Sequence, residues 1–127
     1  MTRLSVNINK VALIRNARGS NFPNILKVAQ DCEEYGAQGI TVHPRPDQRH
    51  IRYDDLQPLK KLVKTEFNIE GNPRPELIKH ILSVQPHQVT LVPDDPNALT
   101  SDHGWDAASN MSFLKREIKK FKEVNIR

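Results

Sequence analysis

Segments with a two-residue apolar period alternate with segments of helical period along this chain, and that alternation leaves few folds open. Residues 4–9 place Leu4, Val6 and Ile8 on one side and Ser5, Asn7 and Asn9 on the other. Residues 39–43, 66–71 and 88–93 read as three further strands; in the third, Phe67 and Ile69 oppose Asn68 and Glu70. Between and after them lie four helical stripes. The first is Ile25, Val28, Ala29 and Cys32, opened by Asn21-Phe22-Pro23-Asn24 and ended by Gly36. The second is Leu56, Leu59, Leu62 and Val63; a cap at Asp54 or Asp55 keeps Pro58 in the first turn. The third, Leu77, Ile78, Ile81 and Leu82, is opened by Asn72-Pro73-Arg74-Pro75 and stopped at Gln85-Pro86, with His80 on its surface. The fourth is Leu114, Ile118, Phe121 and Val124. Residues 10–20 read as a basic connection whose apolar patch suffices for a turn of helix, and Arg15, Arg18 and Gly19 suit a phosphate. Strands separated by helices run parallel, because the crossovers are right-handed. All four strands then end on one edge, where α/β folds bind ligands.

One stretch is dense in chemistry: Gly39-Ile40-Thr41-Val42-His43-Pro44-Arg45-Pro46-Asp47-Gln48-Arg49-His50. Pro44 cannot donate to a sheet ladder, so the strand ends near His43, and Pro46 stiffens the loop beyond. An imidazole at a strand end, followed by guanidinium groups, suits an anionic substrate that must gain or lose a proton. The plainer reading is a solvated basic loop. Glu70, near the end of the neighbouring strand about 4.8 Å away, forms a second proton-transfer group with His43. Burial should raise its pKa. The alternative is a structural ion pair with Arg45 or Lys10. Asn7 and Asn9 can orient substrate hydroxyls, and Arg18 and Arg45 can hold phosphates bidentately. His43 and His50 are candidate metal ligands only in residue type, since no HxH or HxxxH spacing supports them. No GxGxxG, Walker loop or CxxC gives nucleotide or redox cofactors any sequence support.

At 127 residues the chain is read as a single domain, residues 1–127. No run approaches the ~20 apolar residues that cross a bilayer, and the first residues lack the apolar run of a secretory signal. The lone cysteine, Cys32, fits a reducing cytosol and lies on an apolar helix face, where packing is its simplest role. A net charge of +4 suits anionic substrates and is too weak to argue for nucleic acid. The basic last helix offers only Phe113 and Phe121 as aromatics, and Phe121 belongs to the apolar stripe.

Five motifs in order now carry a resemblance: Val6-Asn7-Ile8-Asn9-Lys10, Arg15-Asn16-Ala17-Arg18-Gly19, Gly39 to Arg45 continuing to Arg49-His50-Ile51, Asn68-Ile69-Glu70, and Leu91-Val92-Pro93. Together they resemble the pyridoxine 5′-phosphate synthase family. The resemblance implies a TIM barrel, (βα)8, of which this chain covers the first four βα units. It implies condensation of 1-deoxy-D-xylulose 5-phosphate with 3-amino-2-oxopropyl phosphate to give pyridoxine 5′-phosphate, phosphate and water, with no cofactor and no metal. It implies His43 as a base and Glu70 as a general acid/base. It further implies that Asn7 and Arg18 bind the amino-ketone phosphate, and that Asn9, Lys10, Arg45, His50 and Thr100 bind the pentulose phosphate.

Two departures accompany it. Asn9-Lys10 stands where many members carry Asp-His, which changes one substrate contact. The chain also ends at Asn125-Ile126-Arg127, where the family begins strand five. The second half would bring another catalytic histidine, a further acidic residue and the glycine-rich phosphate loops. The chain is therefore read as an N-terminal half, a truncated product or a fragment, with little activity alone and with self-association into a homo-oligomer covering its open sheet. A non-catalytic (βα)4 module that binds phosphorylated sugars is the competing reading. A nucleic-acid or membrane partner is not expected.

Overall fold

The computed structural model describes residues 1–127. Four strands, β1 (Ser5–Asn7), β2 (Gly39–Val42), β3 (Glu66–Gly71) and β4 (Gln88–Leu91), form one parallel sheet in the order β1-β2-β3-β4. Five helices accompany them: α1 (Asn9–Ala17), α2 (Ile25–Glu34), α3 (Tyr53–Leu62), α4 (Pro75–Val84) and α5 (Met111–Lys122). The register pairs Asn7 with Thr41, Val42 with Ile69, and Glu70 with Thr90.

The helices cover one face. Ile40, Val42, Phe67 and Ile69 are fully buried there against Ala12, Ala29, Leu56, Leu59 and Ile81. Alternation along the strands sends their neighbours to the other face. A polar ladder crosses that face. The Ser5 and Thr41 hydroxyls are 2.7 Å apart, Asn68 Nδ2 donates to Thr41 Oγ1 at 3.2 Å, and Thr90 Oγ1 donates to Asn68 Oδ1 at 3.1 Å. Gln88 Nε2 completes it by donating to Thr90 Oγ1 at 3.4 Å.

Several sequence expectations are corrected. The first strand stops at Asn7, and Asn9 already opens α1. The segment read as a connection is thus a nine-residue helix, and the first βα unit carries two helices. Asn7 Oδ1 accepts from the backbone N–H of Asn9 at 2.9 Å, which turns the chain out of the strand. In α2 the cap is Asn24, whose side chain accepts from Leu26 and Lys27, so Pro23 lies just outside the helix. In α3 the helix begins at Tyr53, so Pro58 lies in its interior rather than in the first turn. Asp55 still serves the helix start, accepting from the backbone N–H of Arg52 at 2.7 Å. His80 is half-buried, stacked on Tyr53 with ring centroids 4.1 Å apart. On α5, Phe121 is buried but Ile118 is exposed. Glu117 takes the buried position instead, paired with Arg116 and Lys120.

Gly71 ends β3 under α4. A β-carbon there would sit 2.3 Å from Leu77 Cδ2, so a larger residue at this position requires the buried Leu77 side chain to shift. At the chain's last residue, Arg127 N donates to His87 O at 3.1 Å and Val89 N donates to Arg127 O at 2.8 Å. Arg127 therefore lies beside β4 in parallel register, in the position of a fifth strand.

Candidate active site at the strand ends

The carboxyl ends of β1, β2 and β3 bring Asn9, His43 and Glu70 to one edge, as the parallel reading requires. Asn9 Oδ1 accepts from the backbone N–H of His43 at 2.9 Å. The start of α1 thereby fixes the exit of β2. Val42 pairs with Ile69, and His43 and Glu70 are the residues that follow that pair on the two adjoining strands. His43 is buried and lies 6.0 Å, ring to ring, from His50.

Electrostatics separates these groups. Burial pushes the His43 imidazole down, opposed by the Asp94 carboxylate and assisted by Arg45. Burial pushes Glu70 up, and the nearby Asp94 carboxylate adds to that. Glu70 forms no ion pair with Arg45 or Lys10; the structural pairing considered from sequence is not made. His50 is pushed down to about 4, first by burial and then by the positive neighbours His43, Arg45 and Arg49. It is neutral at pH 7. Its Nδ1 accepts from the backbone N–H of Ile51 at 2.9 Å, so its proton sits on Nε2.

Displaced proton affinities are also stability terms. Glu70 holds its proton to higher pH in the folded chain than its ordinary value near 4.5. Stability is therefore lost as pH rises from that value through the folded pKa, and the loss persists above it. Glu70→Gln cannot ionise and escapes this loss. We expect its urea midpoint to exceed that of the parent chain at about pH 8, with the gap closing as pH falls below about 4. Equal gaps at both pH values would contradict a buried, raised Glu70.

The remaining candidates are distributed unevenly. Asn7, Lys10, Arg18 and Thr100 are exposed. Arg18 caps the end of α1 and lies over the Phe22 ring at 5.9 Å. Arg45 is 4% exposed, and its guanidinium already donates to the backbone carbonyls of Asp95 and Ala98. Arg49 donates to the carbonyls of Ala98 and Leu99, next to Thr100. The two loop arginines thus tie the loop after β2 to the loop after β4, rather than standing open as a phosphate clamp.

Arg15, read from sequence as suited to a phosphate, is instead buried and paired bidentately with Asp55 at 2.8 and 2.9 Å. Its guanidinium and the Asn16 amide both donate to the carbonyl of His50. Asn16 also reaches the carbonyls of Gln48 and Arg49. A loop without secondary structure is thereby fastened by its backbone to α1. Asp94, which no motif of the sequence singles out, follows the fourth strand. It is 5% exposed, with Oδ2 lying 3.7 Å from both His43 Nε2 and Arg45 NH1. Its place directly after Pro93 at a strand end was the signal available in the sequence. Beside it, a cavity of about 130 Å³ is lined by His43, Arg45, Asn72, Arg74 and Asp94 among others.

The family described as "Pyridoxal phosphate biosynthesis protein PdxJ" matches residues 4–127. The chain belongs to the PdxJ family. Relatives named pyridoxine 5′-phosphate synthase agree with it over the whole of its length. The protein from Cytophaga hutchinsonii is 63% identical over 127 residues, which are 53% of that protein. Those from Bacteroides fragilis and Parabacteroides distasonis are 61% and 62% identical, with 54% and 53% of each covered. The chain spans about half the length of these curated relatives. Four strands in sequential parallel order, with helices on one face, are what half of a TIM barrel of the PdxJ family presents. No helix is long and apolar enough to cross a membrane.

Proposed function

We propose that this chain carries the first half of a pyridoxine 5′-phosphate synthase active site. The assembled site condenses 1-deoxy-D-xylulose 5-phosphate with 3-amino-2-oxopropyl phosphate, releasing pyridoxine 5′-phosphate, inorganic phosphate and water. The observation that carries the reading is the pair His43 and Glu70. They directly follow the paired residues Val42 and Ile69 on adjoining strands, and burial displaces their proton affinities in opposite directions. A base pushed down is unprotonated and ready to accept at neutral pH. A carboxyl pushed up holds its proton to higher pH than an ordinary glutamate, which suits a group that both gives and takes one. His43 takes the proton lost from carbon during condensation, and Glu70 protonates the leaving hydroxyl in dehydration and ring closure.

Asn7 and Arg18 hold the amino-ketone phosphate in this reading. Asn9, Lys10, Arg45, His50 and Thr100 serve the pentulose phosphate. Lys10 and Arg18 are exposed and supply positive charge. Arg45 contributes by fixing the loop as well as by charge. The neutral His50 offers an Nε2–H donor to a substrate oxygen. Neither a cofactor nor a metal takes part. The protein works in the cytosol as an oligomer of identical copies, since the polar face of the sheet needs a covering layer.

The test is product formation by the purified chain, alone and mixed with the C-terminal half of a full-length relative. Product in the mixture and none from either half alone supports the reading. Binding of the pentulose phosphate with no product in any mixture favours a phosphosugar-binding module.

A further inference from the structure

Asp94 is buried without being satisfied. Its Oδ2 accepts a hydrogen bond from the Ser101 hydroxyl, while Oδ1 is buried with no hydrogen-bond partner. A buried carboxylate oxygen left without a donor is costly, and native proteins seldom keep one unused. Its backbone is held, because Asn72 Nδ2 donates to the Asp94 carbonyl at 3.0 Å. The side chain points between two cationic or potentially cationic groups, His43 Nε2 and Arg45 NH1, each at 3.7 Å. Neither contact is yet a hydrogen bond. Arg45 is already engaged with the carbonyls of Asp95 and Ala98. No hydrogen bond to protein is made at either ring nitrogen of His43, so the imidazole is free to take one from the Asp94 side.

We infer that Asp94 is the positioning carboxylate of His43: it closes onto the Nε2–H of the imidazole, orients the ring, and leaves Nδ1 as the nitrogen that exchanges a proton. The movement needed is about 0.9 Å, from the present separation to an ordinary charge-assisted hydrogen bond. The titratable and charged groups around His43 are Arg45 and His50 from its own loop and Asp94 from the loop after β4, with Glu70 following the paired position on β3. Among them Asp94 alone supports the protonated imidazole. The same carboxylate favours the protonated form of Glu70. One side chain thus biases both proton-transfer groups. The catalytic consequence rests on the synthase reading; the Asp94–His43 pairing does not.

Ring nitrogen NMR of the 127-residue chain tests the pairing without turnover. The His43 signals, assigned by comparison with His43→Gln, are followed across pH in the parent chain, in Asp94→Asn and in Ser101→Ala. Asp94→Asn should lower the His43 protonation constant roughly tenfold and change the balance of ring tautomers. A charge held at the present 3.7 Å would bias that balance only weakly, whereas a hydrogen bond to Nε2–H fixes it. Ser101→Ala, at an exposed position, frees Oδ2 from its present donor and should move the His43 pKa upward. Should Asp94→Asn fail to give a native amide spectrum, the rise in Ser101→Ala decides the matter. A His43 ring with unchanged pKa and tautomer in a folded Asp94→Asn chain overturns the inference, as does an unmoved ring in Ser101→Ala when that variant must decide. If no mixture of halves yields product while the ring signals shift as described, the synthase reading fails and the pairing stands.

Discussion

In the chain complemented by the C-terminal half of a full-length relative, His43→Gln lowers the rate of pyridoxine 5′-phosphate formation by about 10²–10⁴-fold. That is the range set by loss of a positioned general base. The backbone contact to Asn9 survives the substitution, because it uses the His43 N–H and not the ring. Steady-state rates with both substrates saturating check the prediction. A fall confined to the pentulose phosphate KM, with kcat kept, would make His43 a binding group. The parent's rate should also decline on the acid side as His43 protonates. Since burial pushes that pKa below its ordinary 6.5, the decline falls below pH 6.5.

The second large effect is on stability. Arg15→Leu leaves the Asp55 carboxylate, with 14% of its side chain exposed, without its bidentate partner. It also removes one of the donors to the His50 carbonyl. Stranding one member of a buried pair costs about 3–5 kcal/mol. We expect a loss of that size in urea unfolding at neutral pH. Arg15→Leu with Asp55→Leu should recover part of it, because no charge is then left buried alone. A double variant as unstable as the single would indicate that the donors to the loop carbonyls, not the ion pair, carry the effect.

These two sites differ in how far they could be seen from sequence. The third strand shows both its ends and its faces, because Phe67 and Ile69 alternate with Asn68 and Glu70 and prolines follow at once. The strand-end places of His43 and Glu70 were legible too, His43 from Pro44 closing its strand and Glu70 from the alternation of the third strand. Helix α1 was not legible. Its apolar residues are interrupted by Lys10, Arg15 and Asn16, and one of its two buried positions is an arginine. A buried Arg reads as a surface residue until its partner, forty positions away, is in place. Glu117 on α5 misleads in the same way, taking the inward position that Ile118 promised. For Asp94 the sequence offers only its place after Pro93; that its carboxylate reaches His43 and Arg45 depends on how the loops after β2 and β4 meet.

The polar ladder from Ser5 through Thr41 and Asn68 to Thr90 acts as a checksum on strand alignment. Each link joins hydroxyl or amide groups of neighbouring strands. Slip any strand by one residue and its other face turns over: Ile40 or Ile69 would meet an amide, and a donor would face the helices with nothing to bond. Apolar faces tolerate small misalignments, since one aliphatic side chain replaces another at little cost. Hydrogen-bonded rungs do not. The face that contributes least to the apolar core is therefore the one that certifies that His43 and Glu70 have arrived at the same height.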